Sequence, residues 1–494
     1  MDKETGPQRL FWGDVHNHNE VGYGKGSLER SYEIARASQL DFYAFTPHAW
    51  WPDLPEDDPA VAKRHRDGFD LVQREWAAVL AKANAENAPG EFAAFCAFEW
   101  HSSRYGDYHV LLPGGSGAIC RAADVGELQA YARRTGALMI PHHLGYREGW
   151  RGANWGSWRA DVSPVADGFS EHGNGIEADT HLAMVTHSMG GVERSQTLLE
   201  QWKRGGIVGV TGSSDNHWGY PGSYGEGLTG VWAGGLTREE IFAALRARHT
   251  FAVSGDRIEA RLECGDGMMG DILPPESQRK LRWKARGWAE LAGCEIWKNG
   301  LPWRRWFPSA QTEGTEFLLR LEFGWDGMNS QEVTDWQIAL EVTDGEIVSV
   351  MPAFCGGGGS VEKINRLTES SPSRLNLSAF TSRANSRPTS AVALRVRGSA
   401  KTRLRLEAAA GKGGCSLEGS LASLQTRTEW GAVSGIFSAP RISLGSAVPA
   451  AMAEGDAVFE DTETGRDDFY FLKVQQCNGQ CAWTSPLWFT ERTP

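Results

Sequence analysis

The sequence predicts an α/β domain on a parallel sheet, followed by a β-rich, sandwich-like C-terminal region, and three observations carry that prediction. Up to about residue 257, short apolar runs of buried-strand type alternate with helical stretches, as in repeated β-then-α units. After Gly255 the pattern becomes polar–apolar alternation broken by Gly- and Pro-rich turns, as in antiparallel strands with one solvated face. All 13 histidines stand at or before His249, so the chemistry belongs to the first region. The expected division is residues 1–257 and 258–494.

Within the first region, residues 10–12, 42–45, 92–98, 109–112, 137–140 and 207–210 read as strands. Residues 27–38 and 60–84 read as helices with mixed charge on one face. Asp124 with Glu127, and Thr237 with Glu240, are capping-box pairs that start two further helices. In the second region, residues 257–263, 317–323, 391–397 and 402–407 alternate as strands, and the runs 356–359 and 370–390 read as loops. Eight cysteines in a chain this long do not make a disulfide framework. Cys477 and Cys481 flank the hairpin turn Asn478-Gly479, which sends their thiols to opposite faces.

A net charge of −12 argues against a protein that coats a nucleic-acid backbone. No run of ~20 apolar residues is present to span a membrane. The first ten residues are polar and lack a secretory apolar core, so a cytoplasmic location and a small-molecule partner are expected. Oligomeric state is not legible.

The chemistry sits at strand ends. Gly13-Asp14-Val15-His16-Asn17-His18 closes the first strand, and residues two apart in extended chain face the same side, so His16 and His18 can grip one ion. His48 ends the second strand, Glu99 the third, His109 follows it, His142-His143 ends another, and Asp215-Asn216-His217 ends the last. A barrel builds its site in this way, from the carboxyl ends of successive strands.

Taken in order over about residues 9–257, these motifs resemble the PHP (polymerase and histidinol phosphatase) superfamily. Residues 244–258 resemble the end of such domains, and residues 469–474 and 482–488 resemble the tail of an uncharacterised PHP-containing family with an appended β-domain. The resemblance implies a distorted (β/α)7 barrel and a phosphoesterase that uses a metal-bridging hydroxide on a small organic phosphate. It implies one ion held by His16, His18, Glu99 and Asp215, a second by Glu99, His109 and His142, and a third by His48 and His217. Imidazole and carboxylate ligands without thiolate suit Zn²⁺ or Mn²⁺, and also Fe²⁺. Two departures bear on the third ion: Glu20 is the one acidic candidate shortly after His18, and the usual Thr-Asp-His is here Thr46-Pro47-His48. Two ions are therefore expected, with a third position short of ligands.

His143 and His172 are the candidate acids for the leaving group, acting with Glu99. His101, directly after Trp100, is expected to face away from the ions, and His65, His181, His187 and His249 are expected at the surface or in packing. Arg104, Arg147, Arg151 and Arg159, in loops beside the motifs, are candidate anion binders. Trp150 shares a loop with Trp155 and Trp158, while Trp50, Trp51, Trp100 and Trp218 adjoin ligands; they point to a flat or sugar-like substrate portion or to burial between domains. The alternatives are cleavage of a non-phosphate C–O or C–N bond by a hydrolase or lyase, and a non-catalytic scaffold.

Overall fold

The computed structural model describes residues 8–310, 313–325, 333–357, 362–383, 387–411, 413–433 and 440–493. It is mixed α/β and strand-rich. The first region contains β1 (Arg9–Asp14), α1 (Leu28–Ala37), β2 (Phe42–Phe45), β3 (His48–Trp50), α2 (Pro59–Glu86), β4 (Ala93–Trp100) and β5 (Tyr108–Leu111). It continues with α3 (Val125–Thr135), β6 (Leu138–Pro141), β7 (Val165–Ser170), β8 (Gly173–Asn174), α4 (Leu198–Lys203), β9 (Gly209–Gly212), β10 (Leu228–Ala233), α5 (Arg238–Arg246) and β11 (Thr250–Val253). The helices start where their caps dictate: Asp124 accepts from Glu127 N, Thr237 from Glu240 N, and Asp58 precedes Pro59 at the head of α2.

The expected parallel sheet is only partly present. β1, β2 and β4 are parallel, as are β3 with β4 and β7 with β9. β5 and β6 run antiparallel to their neighbours, as do β10 and β11. The link from β4 to β5 is too short for the crossover helix that a parallel return requires, whereas β5–β6 and β10–β11 are antiparallel although α3 and α5 lie between them. β1 and β2 approach closely because residue 13 is glycine; a Cβ there would sit 2.2 Å from the Phe42 ring.

Strands from beyond residue 258 extend the same sheet. Cys481–Thr484 pairs antiparallel with β11, Asp468–Gln476 pairs with Cys481–Thr484, and Leu291–Lys298 pairs with Asp468–Gln476. Ser485 Oγ accepts from Val210 N at 2.9 Å, fastening this ribbon to β9. A separate, among the described residues nine-stranded, sheet is dominated by Val333–Ala353 and Thr389–Ala410, whose alternate side chains are buried in their own core.

The segment 370–390, expected as a loop, contains the strand Arg374–Ser382, with Leu375, Leu377 and Ala379 buried. Its period-2 apolar positions outweigh a Ser/Arg-rich composition. Residues 358, 359 and 384–386 of the two expected loops lie outside the described residues. The eight cysteines are all free; Cys481 is buried and Cys477 exposed across the Asn478-Gly479 turn, where Gly479 has φ +83°. Among the described residues no helix is long and apolar enough to cross a membrane.

Candidate metal centre

The strand register builds the centre. His48 lies directly opposite Glu99 across the β3–β4 pair, and Glu99 lies opposite His109 across the β4–β5 pair. Three chemically active side chains therefore form one row, with the carboxylate in the middle. The His16-Asn17-His18 segment is locked to the 214–217 loop by His18 N→Asn216 O (3.0 Å) and Asp215 N→His16 O (2.8 Å). Behind it, the buried Asp14 carboxylate accepts from His16 N, Ser214 N, Ser214 Oγ and Gly222 N. Asp215 takes a left-handed φ of +54°, and His143 one of +57°, costs that the packing around them must offset.

The donor atoms converge. His18 Nε2 lies 3.1 Å from His16 Nε2 and 3.0 Å from Asp215 Oδ1. Glu99 divides the cluster: Oε1 is 3.0 Å from His142 Nε2, whereas Oε2 is 3.4 Å from His48 Nε2 and 3.5 Å from His18 Nε2. His217 Nε2 stands 3.3 Å from His48 Nε2. Within 4.8 Å of one another lie the donors of His16, His109 and His142; of His18, His48 and His217; and of His16, His18 and Asp215. The outer trio draws its third donor from His18; Glu20 is exposed. Because one imidazole nitrogen serves one ion, His18 belongs to either the second or the third of these groups at a time.

These residues fit divalent cations. Glu99, His16, His109 and His142 are at most 2% exposed, yet Glu99 Oε2, His109 Nε2 and His142 Nε2 have no hydrogen-bond partner. Buried polar atoms are rarely left so, and a cation satisfies converging lone pairs. Burial pushes His142 down to about 3 and His109 and His48 well below the usual imidazole range, which leaves these rings neutral and able to donate a lone pair. Rear contacts aim the rings: His109 Nδ1 bonds Val15 O at 2.8 Å, His217 Nδ1 bonds Asp215 O at 2.8 Å, and His16 Nδ1 lies 3.7 Å from Asp167 Oδ2.

Several expectations need correction. His101 does not face away; its Nδ1 is 3.3 Å from Glu99 Oε1 and 3.3 Å from Asp107 Oδ2. Glu99 and His101 are two residues apart in extended chain and so share a side, while Trp100 turns away to bond Ala122 O. His65 and His187 line the cavity beside the centre rather than the outer surface, whereas His181 bonds Gly479 O and His249 bonds Asp271. Among the candidate arginines only Arg151 lines that cavity, and both its Nε and Nη2 are held by Asp107 Oδ2, at 2.8 and 2.6 Å. Arg104 stacks on Tyr105, Arg147 on Trp150, and Arg159 bonds backbone carbonyls of its own loop. Trp150 is 51% exposed, and among the described residues no tryptophan lines the cavity; Trp155 and Trp158 pack against an apolar cluster instead.

The cavity has a volume of about 360 Å³ and opens directly on His48, Glu99, Asp215 and His217. His143 and His172 form part of its wall. His143 Nδ1 lies 3.1 Å from Asp107 Oδ2 and its Nε2 lies 3.6 Å from Asp215 Oδ2. His172 Nε2 is 3.2 Å from Asp215 Oδ2, with Tyr146 OH 3.2 Å from its Nδ1. Asp107, Asp167, Tyr23 and Arg64 were not legible as site residues in the sequence, since none sits in a strand-end motif; only register and loop packing bring them in.

A family described as a protein of unknown function (DUF3604) matches residues 53–110 and 180–282, segments that include Glu99, His109, Asp215 and His217. No curated protein matches the chain. Among solved structures it is similar to a two-domain protein from Bacteroides vulgatus containing a predicted PHP-like metal-dependent phosphoesterase. The identity is 14%, over 62% of this chain and 87% of that one, with a TM-score of 0.32. That likeness is too loose to locate a residue or a reaction.

Proposed function

We propose that the chain is a metal-dependent phosphoesterase of PHP type that hydrolyses a small organic phosphate ester in the cytoplasm. The observation that carries this reading is the division of Glu99, whose Oε1 faces His142 and whose Oε2 faces His16, His18 and His48, at the floor of one small polar cavity. His16, His109 and His142 with Glu99 would hold one ion, and His18 and Asp215 with Glu99 a second. With His18 committed to the second ion, His48 and His217 would be the two protein donors left for a third. Zn²⁺ or Mn²⁺, or Fe²⁺, suits this nitrogen and oxygen set. Paired divalent ions supply a nucleophilic oxygen at neutral pH and offset charge on a phosphoryl group. A distorted (β/α)7 ancestry for the sheet belongs to the same reading.

Hydrolysis joins a water oxygen to phosphorus, breaks the ester P–O bond, and releases phosphate and an alcohol whose oxygen gains one proton. His143 is placed to give that proton. Asp107 faces its Nδ1 and favours the imidazolium, which carries a proton on both nitrogens, and its Nε2 stands 3.6 Å from Asp215 Oδ2 beside the cavity. His172, between Tyr146 and Asp215, is the second candidate and orients Asp215. Arg151 keeps Asp107 in place rather than meeting substrate.

The test is elemental analysis of the purified protein together with a panel of phosphomonoesters, phosphodiesters and non-phosphate esters and amides. Bound metal with phosphate release from one ester class is the expected result. Bound metal with activity confined to non-phosphate substrates overturns the phosphoesterase reading, and protein that neither holds metal nor gains activity with Mn²⁺ or Zn²⁺ returns the scaffold alternative.

A further inference from the structure

Helix α2 brings three basic residues together near the mouth of the cavity. Lys63 Nζ pairs with Asp67 at 2.5 Å, and Arg66 pairs with Glu56. Arg64 has no carboxylate or hydrogen-bond partner among the described residues, although it lines the cavity. Its guanidinium lies 5.1 Å from the centre of the Tyr23 ring, and the Tyr23 ring stacks 3.7 Å from the ring of His48. The guanidinium is therefore no more than about 9 Å from a ring of the metal centre, held on an aromatic platform.

The rest of the wall makes Arg64 distinct. Arg151, the other arginine of the cavity, is neutralised by Asp107. The remaining wall beyond the centre is polar, with His65, His187 and Ser188, the single thioether of Met189, and the Glu171 carboxylate, which is turned to His217 Nδ1 at 3.3 Å. Arg64 is exposed and lines the same cavity as Glu99 and Asp215, so an anionic group held at those residues would leave the guanidinium free to meet a second one.

We propose that Arg64, seated on Tyr23, is an anion-binding subsite that selects small organic phosphates carrying a second acidic group a few bonds from the ester. The substrate class rests on the phosphoesterase reading above; the subsite itself does not. A cavity of about 360 Å³ admits a compact phosphorylated hydroxy acid and leaves little room for a bulky leaving group beyond it. The second anion replaces water on a guanidinium already oriented by its ring, so its loss shows in substrate affinity rather than in the chemical step.

The experiment compares 3-phosphoglycerate with glycerol 3-phosphate, which differ in the outer carboxylate. Both are titrated calorimetrically into the Mn²⁺-loaded full chain, and phosphate release is then measured on the same samples for wild type, Arg64→Ala and Arg64→Lys. The expected result is about tenfold tighter binding of 3-phosphoglycerate by wild type, lost in Arg64→Ala and partly kept in Arg64→Lys. In turnover the preference falls on KM, with kcat changed less than about threefold. Equal binding of the two compounds by wild type, or a preference that survives Arg64→Ala, overturns the subsite. A preference lost in Arg64→Ala without phosphate release from either compound upholds the subsite and overturns the substrate class, and release absent across the whole ester panel as well overturns the phosphoesterase reading. Arg64 is exposed, so unchanged thermal unfolding of both variants is the folding control.

Discussion

The two histidine groups that flank Glu99 have similar ligands and different surroundings. His16, His109 and His142 are sealed under the sheet, whereas His18 and His48 share their group with His217, whose side chain is 35% exposed to the cavity. The inner rings are aimed by a main-chain carbonyl and the buried Asp167; the outer one is aimed by the Asp215 carbonyl and by Glu171, a residue of the cavity wall. A sealed site exchanges its ion slowly and serves structure and charge; an open one exchanges and meets substrate. The two groups should therefore fail differently.

The strongest break removes a donor from the middle of the cluster, between the two groups. His16→Ala or Asp215→Ala is expected to strip metal and activity together, because each residue stands in the donor set around the middle of the cluster. Metal content by elemental analysis after dialysis, with turnover on the same samples, checks this; full activity in either variant sinks the assignment. Next in size is a pair of substitutions that separates the groups. His142→Ala should lower tightly held metal irreversibly, and His217→Ala should leave that metal in place while reducing turnover roughly 10–100-fold, with partial rescue by excess Mn²⁺. If both variants lose metal alike and neither is rescued, the inner and outer distinction is wrong. A smaller change is expected behind the rings. Asp167→Asn should weaken metal affinity about 10–100-fold, and Glu171→Gln by less, because Glu171 acts on a half-exposed ring. Competition with a coloured chelator ranks the two, and a larger effect from Glu171→Gln would reverse the comparison.

How much of this the sequence carried follows from what a linear pattern can encode. The strand-end motifs mark His16, His18, His48, Glu99, His109, His142, Asp215 and His217 without any structure, and the described residues bring all of them to one place. Pairing register is not written in the motif, so the row His48–Glu99–His109 and the placement of His101 emerge only once β3, β4 and β5 are aligned. Arginines and tryptophans in loops carry no periodicity at all. Proximity in sequence to a ligand singled out Arg104, Arg147 and Trp150, which the loop folds outward, and passed over Arg64, which a helix turn places at the cavity. The fold class was legible from alternation, but strand direction was not, because apolar runs look the same in parallel and antiparallel pairs. The pairing of residues 481–484 with β11 also crosses the position where the texture of the sequence changes.

That crossing supplies the finest way to separate the two groups. Glu177, 4% exposed, follows the β7–β8 turn that carries Glu171 and His172, and it is held by Lys473 Nζ and by Trp483 Nε1 at 3.0 Å, both from the C-terminal ribbon. His181 of the same loop bonds Gly479 O at the tip of that ribbon. The outer group thus leans, through Glu171 on His217, on a loop braced by residues about 300 positions later, whereas the inner group leans on β1, β5, β6 and, through Asp167, on β7. Lys473→Met leaves the Glu177 carboxylate buried with one donor fewer, which should cost roughly 2–4 kcal/mol of stability. In the folded enzyme it should raise the Mn²⁺ concentration needed for half-maximal activity two- to fivefold while leaving tightly held metal unchanged. Equal loss from the inner and outer groups would show that the ribbon supports the whole centre, and no change in either would show that the loop holds its shape without it.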